Sequence, residues 1–153
     1  MLQVVMVSET QKSEIGSQTT LQLFRERNGS SIHVDKRTGI VKITWVEIVD
    51  QETAMEIIQT LVKLMNSGIF FKILMARDHS TRFTDEANAW MRNFLLTNRY
   101  KFNYKISRIA GVTPDALRAN VFSNFMKTAL QVIFPGIKIS NFEFEESAIA
   151  WLT

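Results

Sequence analysis

The chain has no cysteine and only two histidines in 153 residues. Without cysteine there is no disulfide, no thiolate nucleophile and no Cys-ligated metal. Two histidines, His33 and His79, with no carboxylate at ligand spacing, do not make a metal site. Cysteine-free composition fits a reducing compartment, so the expected localisation is cytoplasmic. Long apolar runs are missing too. None approaches the roughly 18 residues that span a bilayer, and Met1-Leu2-Gln3-Val4-Val5-Met6-Val7 lacks the basic start and long apolar stretch of a signal peptide. The six glycines form neither Gly-x-Gly-x-x-Gly nor a P-loop, and no Gly-x-Ser-x-Gly elbow occurs. Asp78-His79-Ser80 has the composition of a triad, but adjacent residues cannot face one another as orienter, base and nucleophile. The chain is expected to be no enzyme and to need no cofactor.

What is present is an ordinary globular composition, 46% apolar and 22% charged, of a length suited to one core. The net charge of +3 is unevenly spread. Between Asn66 and Leu130 ten Lys or Arg stand against four acids, leaving the remainder at −3. No run is dense enough to track a nucleic-acid backbone, so no nucleic-acid partner is expected.

The stretch Ile69-Phe70-Phe71-Lys72-Ile73-Leu74-Met75-Ala76 reads as a strand buried on both faces. Lys72 interrupts it, and its stem is expected to follow the sheet until its head reaches water. Before this strand, Thr20-Leu21-Gln22-Leu23-Phe24, Ser31-Ile32-His33-Val34-Asp35 and Ile40-Val41-Lys42-Ile43-Thr44-Trp45 alternate as strands, joined by turns at Asn28-Gly29 and Lys36–Gly39. His33 reads as a surface residue of its strand. A helix capped by Asp50 carries Ala54, Ile57, Ile58, Leu61 and Met65 at helical spacing and stops at Gly68.

A second helix opens at Thr84, with Asp85 and Glu86 in its first turn and Ala87, Trp90, Met91, Phe94 and Leu95 on its apolar face. The stretch from Phe102 to Gly111 contains the next strand. Thr113-Pro114-Asp115 starts a third helix that runs to about Val132. Ile137–Phe142 is a last strand, and Glu145 to Leu152 a short final helix. Residues 1–19 read as a mobile N-terminal arm, in which Leu2, Val4 and Val5 could add an edge strand. Residues 20–153 form one α/β domain with a single mixed sheet.

On these residues the chain resembles the STAS-like proteins, the anti-sigma-factor antagonist fold, in a stand-alone form similar to CRAL-TRIO lipid-binding domains. The carrying residues are Ile73-Leu74-Met75-Ala76-Arg77-Asp78, Phe83-Thr84-Asp85-Glu86-Ala87, Ala119-Asn120-Val121-Phe122 with Phe125, and the ending Phe142…Glu145-Glu146-Ser147-Ala148-Ile149-Ala150-Trp151-Leu152. The resemblance implies a non-enzymatic interaction or regulatory module. It also implies a phosphorylatable hydroxyl at the start of the helix after the central strand. Thr84 is the only hydroxyl there, the family's Ser-Ser-Gly pattern is absent, and Asp85 and Glu86 would repel a phosphate. A plain N-cap is the preferred reading.

The candidate interaction or ligand surface is Arg77, Asp78, His79, Arg82, Thr84, Arg108, Phe122, Phe125 and Met126. Arg77, Arg82 and Arg108 are expected to gather at the strand exits, where guanidinium forks could take an anion. The third helix spreads apolar residues over roughly 260°, far more than one sheet contact needs. The terminal helix with Trp151, a second subunit or a small apolar ligand could cover the excess. The expected partner is a protein. The chain is also expected to be a homo-oligomer, a dimer. A cavity of at least about 300 Å³ lined by Phe or Met would instead favour binding of a lipid-like ligand.

Overall fold

The computed structural model describes residues 20–77, 80–113 and 128–153. The N-terminal arm at 1–19 therefore lies outside the described residues, as does most of the third helix, at 114–127. Strands β1 (Gln22–Arg27), β2 (Ser30–Asp35) and β3 (Ile40–Thr44) form an antiparallel meander. The β1–β2 turn has Asn28 at φ 51° and Gly29 at φ 89°. Two consecutive positive φ values give the turn twist that matches a right-handed hairpin.

After β3 comes the two-residue strand β4 (Ile48–Val49) and then helix α1 (Gln51–Asn66). Asp50 caps α1 by accepting from the Thr53 N–H at 2.8 Å, and Gly68 leaves it at φ 80°. Both ends are as the sequence predicts. Strand β5 (Lys72–Ala76) lies parallel to β3, β7 (Arg108–Val112) parallel to β5, and β8 (Lys138–Phe142) parallel to β7. Among the described residues the result is one mixed six-stranded sheet in the order β1-β2-β3-β5-β7-β8.

Alternation along β5 sorts the core into two layers. Val41, Ile73, Ile109 and Ile139 sit side by side in register and face α1 and helix α2 (Asp85–Thr97). Leu74 and Ala110 face the opposite way, against the terminal helix α5 (Glu145–Leu152) through Ala148 and Leu152. Ile73 and Leu74 are 1% and 0% exposed, so the central strand is buried on both faces. Lys72, half-buried, holds its Nζ 5.0 Å from the Phe71 ring centroid near the start of the strand.

Four features differ from the sequence reading. Between α2 and β7 the chain forms a helix, α3 (Arg99–Lys105), where only a strand approach was expected. Its Phe102 packs against Phe134 with ring centroids 5.4 Å apart, and Ile106 follows one turn later at the helical spacing. A second, two-stranded parallel sheet joins β4 to β6 (Arg82–Phe83). His33 is not simply a surface residue: it is half-buried, and its Nδ1 is buried without a hydrogen-bond partner. Finally, the described end of the third helix, α4 at 128–133, places Leu130 and Ile133 in the α1 layer. Helix α5 with Trp151 packs in the other layer. The sheet separates the two, so the terminal helix does not cover that end of the third helix.

Candidate functional site

At the carboxyl ends of β3, β5, β7 and β8 the α1–α2 layer leaves a cavity of about 130 Å³. Its walls are largely apolar: Ile73, Met75, Met91, Leu95, Phe102 and Leu130 among others. Trp45, just past β3, meets Phe83 edge-on with centroids 5.1 Å apart and forms one side. The polar rim comes from Arg77 after β5, Thr113 after β7, Asn141 on β8 and Asn88 on α2. Strand ends and the first turn of a helix thus converge, as is usual where an open α/β sheet delivers its loops. Burial lowers the Arg77 guanidinium from its ordinary range, which lies so high that it keeps its charge at neutral pH.

Gly111 explains why the rim fits together. It stands opposite Asn141 in register, and a Cβ on it would come within 2.8 Å of the Asn141 Oδ1. A glycine inside a strand often marks a close approach of this kind. That was the available sign of the β7–β8 side of the site, which the sequence reading did not use. Asn88, Thr113 and Asn141 were likewise not foreseen.

The predicted surface is only partly assembled. Arg77 joins the rim. Arg82 is exposed on β6, where its N–H donates to the Glu47 carbonyl at 2.7 Å. Thr84 is tied to the same small sheet, its N–H donating to the Val49 carbonyl at 3.0 Å. Asp78, His79, Phe122, Phe125 and Met126 lie outside the described residues. Arg108 does not gather with the others. It is the first residue of β7, paired with Lys72, whereas Arg77 follows the last residue of β5. A strand length of about 13 Å separates the two ends, so an anion cradle of Arg77, Arg82 and Arg108 does not form.

The Thr84 side chain accepts from the Ala87 N–H at 3.1 Å, and the Thr84 carbonyl accepts from Asn88. This is the geometry of an N-cap. Thr84→Ala is expected to cost about 1 kcal/mol, read as a lower urea midpoint with an unchanged m-value. Thr84→Ser should restore most of it, since the serine hydroxyl caps as well. A fully stable alanine variant would show that the hydroxyl has no capping role.

These features give the chain a STAS-like α/β fold: a meander feeding parallel β/α units, with a closing helix on the far face. No protein-family profile matches it, and no curated protein does. Among solved structures it is similar to an uncharacterized protein of the DUF3478 family with a SpoIIAA-like fold from Shewanella loihica PV-4. The two share 15% identity over 88% of this chain and 93% of the other, with a TM-score of 0.51. At that identity the likeness establishes the fold. No helix among the described residues is long and apolar enough to cross a membrane.

Proposed function

We propose that the protein is a non-enzymatic, cytoplasmic interaction module that presents the surface around residues 77–84 to a protein partner. The supporting observation is the small second sheet. β4 and β6 hold the outgoing arm of this loop by two backbone hydrogen bonds, to Glu47 and Val49. Arg82 and Ile48, paired in that sheet, both point to solvent, Ile48 with 55% of its surface exposed. The small sheet thus holds an exposed apolar residue and a cation side by side in a fixed place, as a docking surface requires. Dimerisation belongs to the same reading: edge strand β1 exposes Leu23 and Phe24, which a second copy would cover.

The test is quantitative co-purification from the native host, comparing wild type with the double variant Ile48→Asp/Arg82→Glu. A partner held by wild type and reduced about tenfold or more by the variant, with both chains equally stable, is the expected result. Identical recovery from both chains would reject the surface. Sedimentation should give twice the chain mass of 17.6 kDa.

A second reading draws on the cavity. An apolar pocket rimmed by Arg77 suits a small apolar ligand with an anionic end, although the similar solved structure supports the STAS-like fold and not the expected CRAL-TRIO similarity. Its 130 Å³ is below the roughly 300 Å³ of typical ligand sites. It is close to the size of an engineered cavity, about 150 Å³, that admits benzene. The volume therefore favours the interaction reading over a lipid cargo. Native mass spectrometry of the same preparations separates the two, because a ligand adds small mass to each chain.

A further inference from the structure

On the face of the sheet that carries α5, at the amino ends of the parallel strands, the register sets Lys72, Arg108 and Lys138 side by side. Neighbouring strands stand about 4.8 Å apart, and like charges directly across a ladder repel. Among the described residues no carboxylate pairs with any of the three. The same face shows that the fold can neutralise a cation when one needs it. Lys42, two residues further along the neighbouring strand β3, is bound to Glu145 of α5 at 2.7 Å. The row of three therefore stands without a carboxylate among the described residues, although Lys72 lies over the Phe71 ring.

The three side chains line an open basin of about 380 Å³ together with Ser107, Leu152 and Thr153. Arg108 is fixed within it. Its Nη1 donates to the Trp151 carbonyl, and its guanidinium lies 5.1 Å from the Trp151 ring centroid. One edge of a five-donor fork is thus anchored, leaving other donors for an anion. A preorganised guanidinium flanked by two ammonium groups matches a small, doubly charged oxyanion better than a single carboxylate.

We propose that Lys72, Arg108 and Lys138 form a binding site for a phosphate monoester, carried either by a small soluble molecule or by a lipid headgroup. The site lies at the opposite end of the strands from the loop 77–84 and is independent of the interaction reading. The basin is large enough for a phosphate and part of the group it esterifies.

Calorimetry with inorganic phosphate and phenyl phosphate, and flotation with phosphatidylcholine vesicles with and without phosphatidic acid, test it on the full chain. Wild type is expected to bind at least one of these probes saturably. Arg108→Gln and Lys138→Gln should each weaken that binding by about tenfold or more. The Lys138 side chain is exposed and makes no hydrogen bond or ion pair among the described residues, so its variant guards against a folding defect from releasing Trp151. Lys36→Gln, on an exposed turn, should bind as wild type does. Binding of the soluble phosphates identifies a small-molecule source, and binding confined to phosphatidic-acid vesicles identifies a lipid source. Three results overturn the site: full affinity in both row variants, an equal loss in Lys36→Gln, or no binding of soluble phosphates up to about 1 mM together with no vesicle binding.

Discussion

Ile73→Ala and Leu74→Ala are each expected to destabilise the protein by about 2–5 kcal/mol. For a chain of this size that corresponds to a fall of roughly 4–20 °C in the unfolding midpoint. The two side chains are neighbours in sequence yet serve different layers. Ile73 closes the row Val41, Ile73, Ile109 and Ile139 beneath α1, while Leu74 meets α5 on the other side. The costs should differ in kind. Ile73 borders the 130 Å³ cavity, so its truncation enlarges a void that already exists and that strands on both sides keep from collapsing. Leu74 sits against one short helix, which can move inward and recover part of the loss. Ile73→Ala is therefore expected to cost the more. Ile69→Ala, at a residue 44% exposed just before the strand, should cost under about 1 kcal/mol. Urea unfolding of the three variants checks the ordering. A wild-type-like Ile73→Ala or Leu74→Ala would contradict burial on both faces.

That pair also shows what kind of information the sequence carried. A continuous apolar run implies burial on both sides without saying what lies on either. The caps of α1 and α2 were legible because each is a contact within four residues, Asp50 to Thr53 and Thr84 to Ala87. The Asn28-Gly29 turn was legible because few residue pairs accept two positive φ values. The features that escaped depend on distant partners. β4 and β6 are two residues each, too short for any period, and exist only because each finds the other. Helix α3 was hidden because Phe102 and Ile106 were read as the approach to a strand, whereas in the fold Phe102 packs on Phe134, far along the chain.

The site divides in the same way. Arg77 was placed correctly at a strand exit because it follows the apolar run. Arg108 was grouped with it on residue type alone. Its place at the opposite end follows from where β7 begins, and the unforeseen α3 obscured that point. Cationic side chains look alike in sequence, and register decides which of them share an edge. Register also produced the row Lys72, Arg108 and Lys138 from residues far apart in the chain.

Asp35→Ala is the second substitution expected to have a large effect, on the order of 2–4 kcal/mol near neutral pH. Asp35 ends β2 with 5% of its surface exposed. Its Oδ2 accepts from the Thr20 N–H at 3.0 Å and its Oδ1 from the Arg37 N–H at 2.9 Å. Its carbonyl accepts from Gly39, at φ 76°, and the Gly39 carbonyl in turn accepts from Phe71 and Lys72 at the start of β5. One carboxylate therefore organises the β2–β3 turn, and through Gly39 that turn is bonded to the start of β5. Removing it leaves two N–H groups without their acceptor and loosens that link.

Burial is the largest single influence on the Asp35 carboxyl and pushes its pKa up. The backbone hydrogen bonds from Thr20 and Arg37, with the nearby Thr38 hydroxyl and the Arg37 charge, together outweigh it and hold the pKa below the ordinary carboxylate range. A depressed pKa stabilises the fold wherever the unfolded chain's carboxylate is ionised, above about pH 4. That contribution is lost as pH falls through the lower, folded value. Asp35→Asn keeps an acceptor of similar shape but cannot titrate. Its urea midpoint should fall less steeply than that of wild type between about pH 5 and pH 3. Equal acid slopes in the two proteins would show that Asp35 gains nothing from its charge, and that the turn is held by the backbone alone.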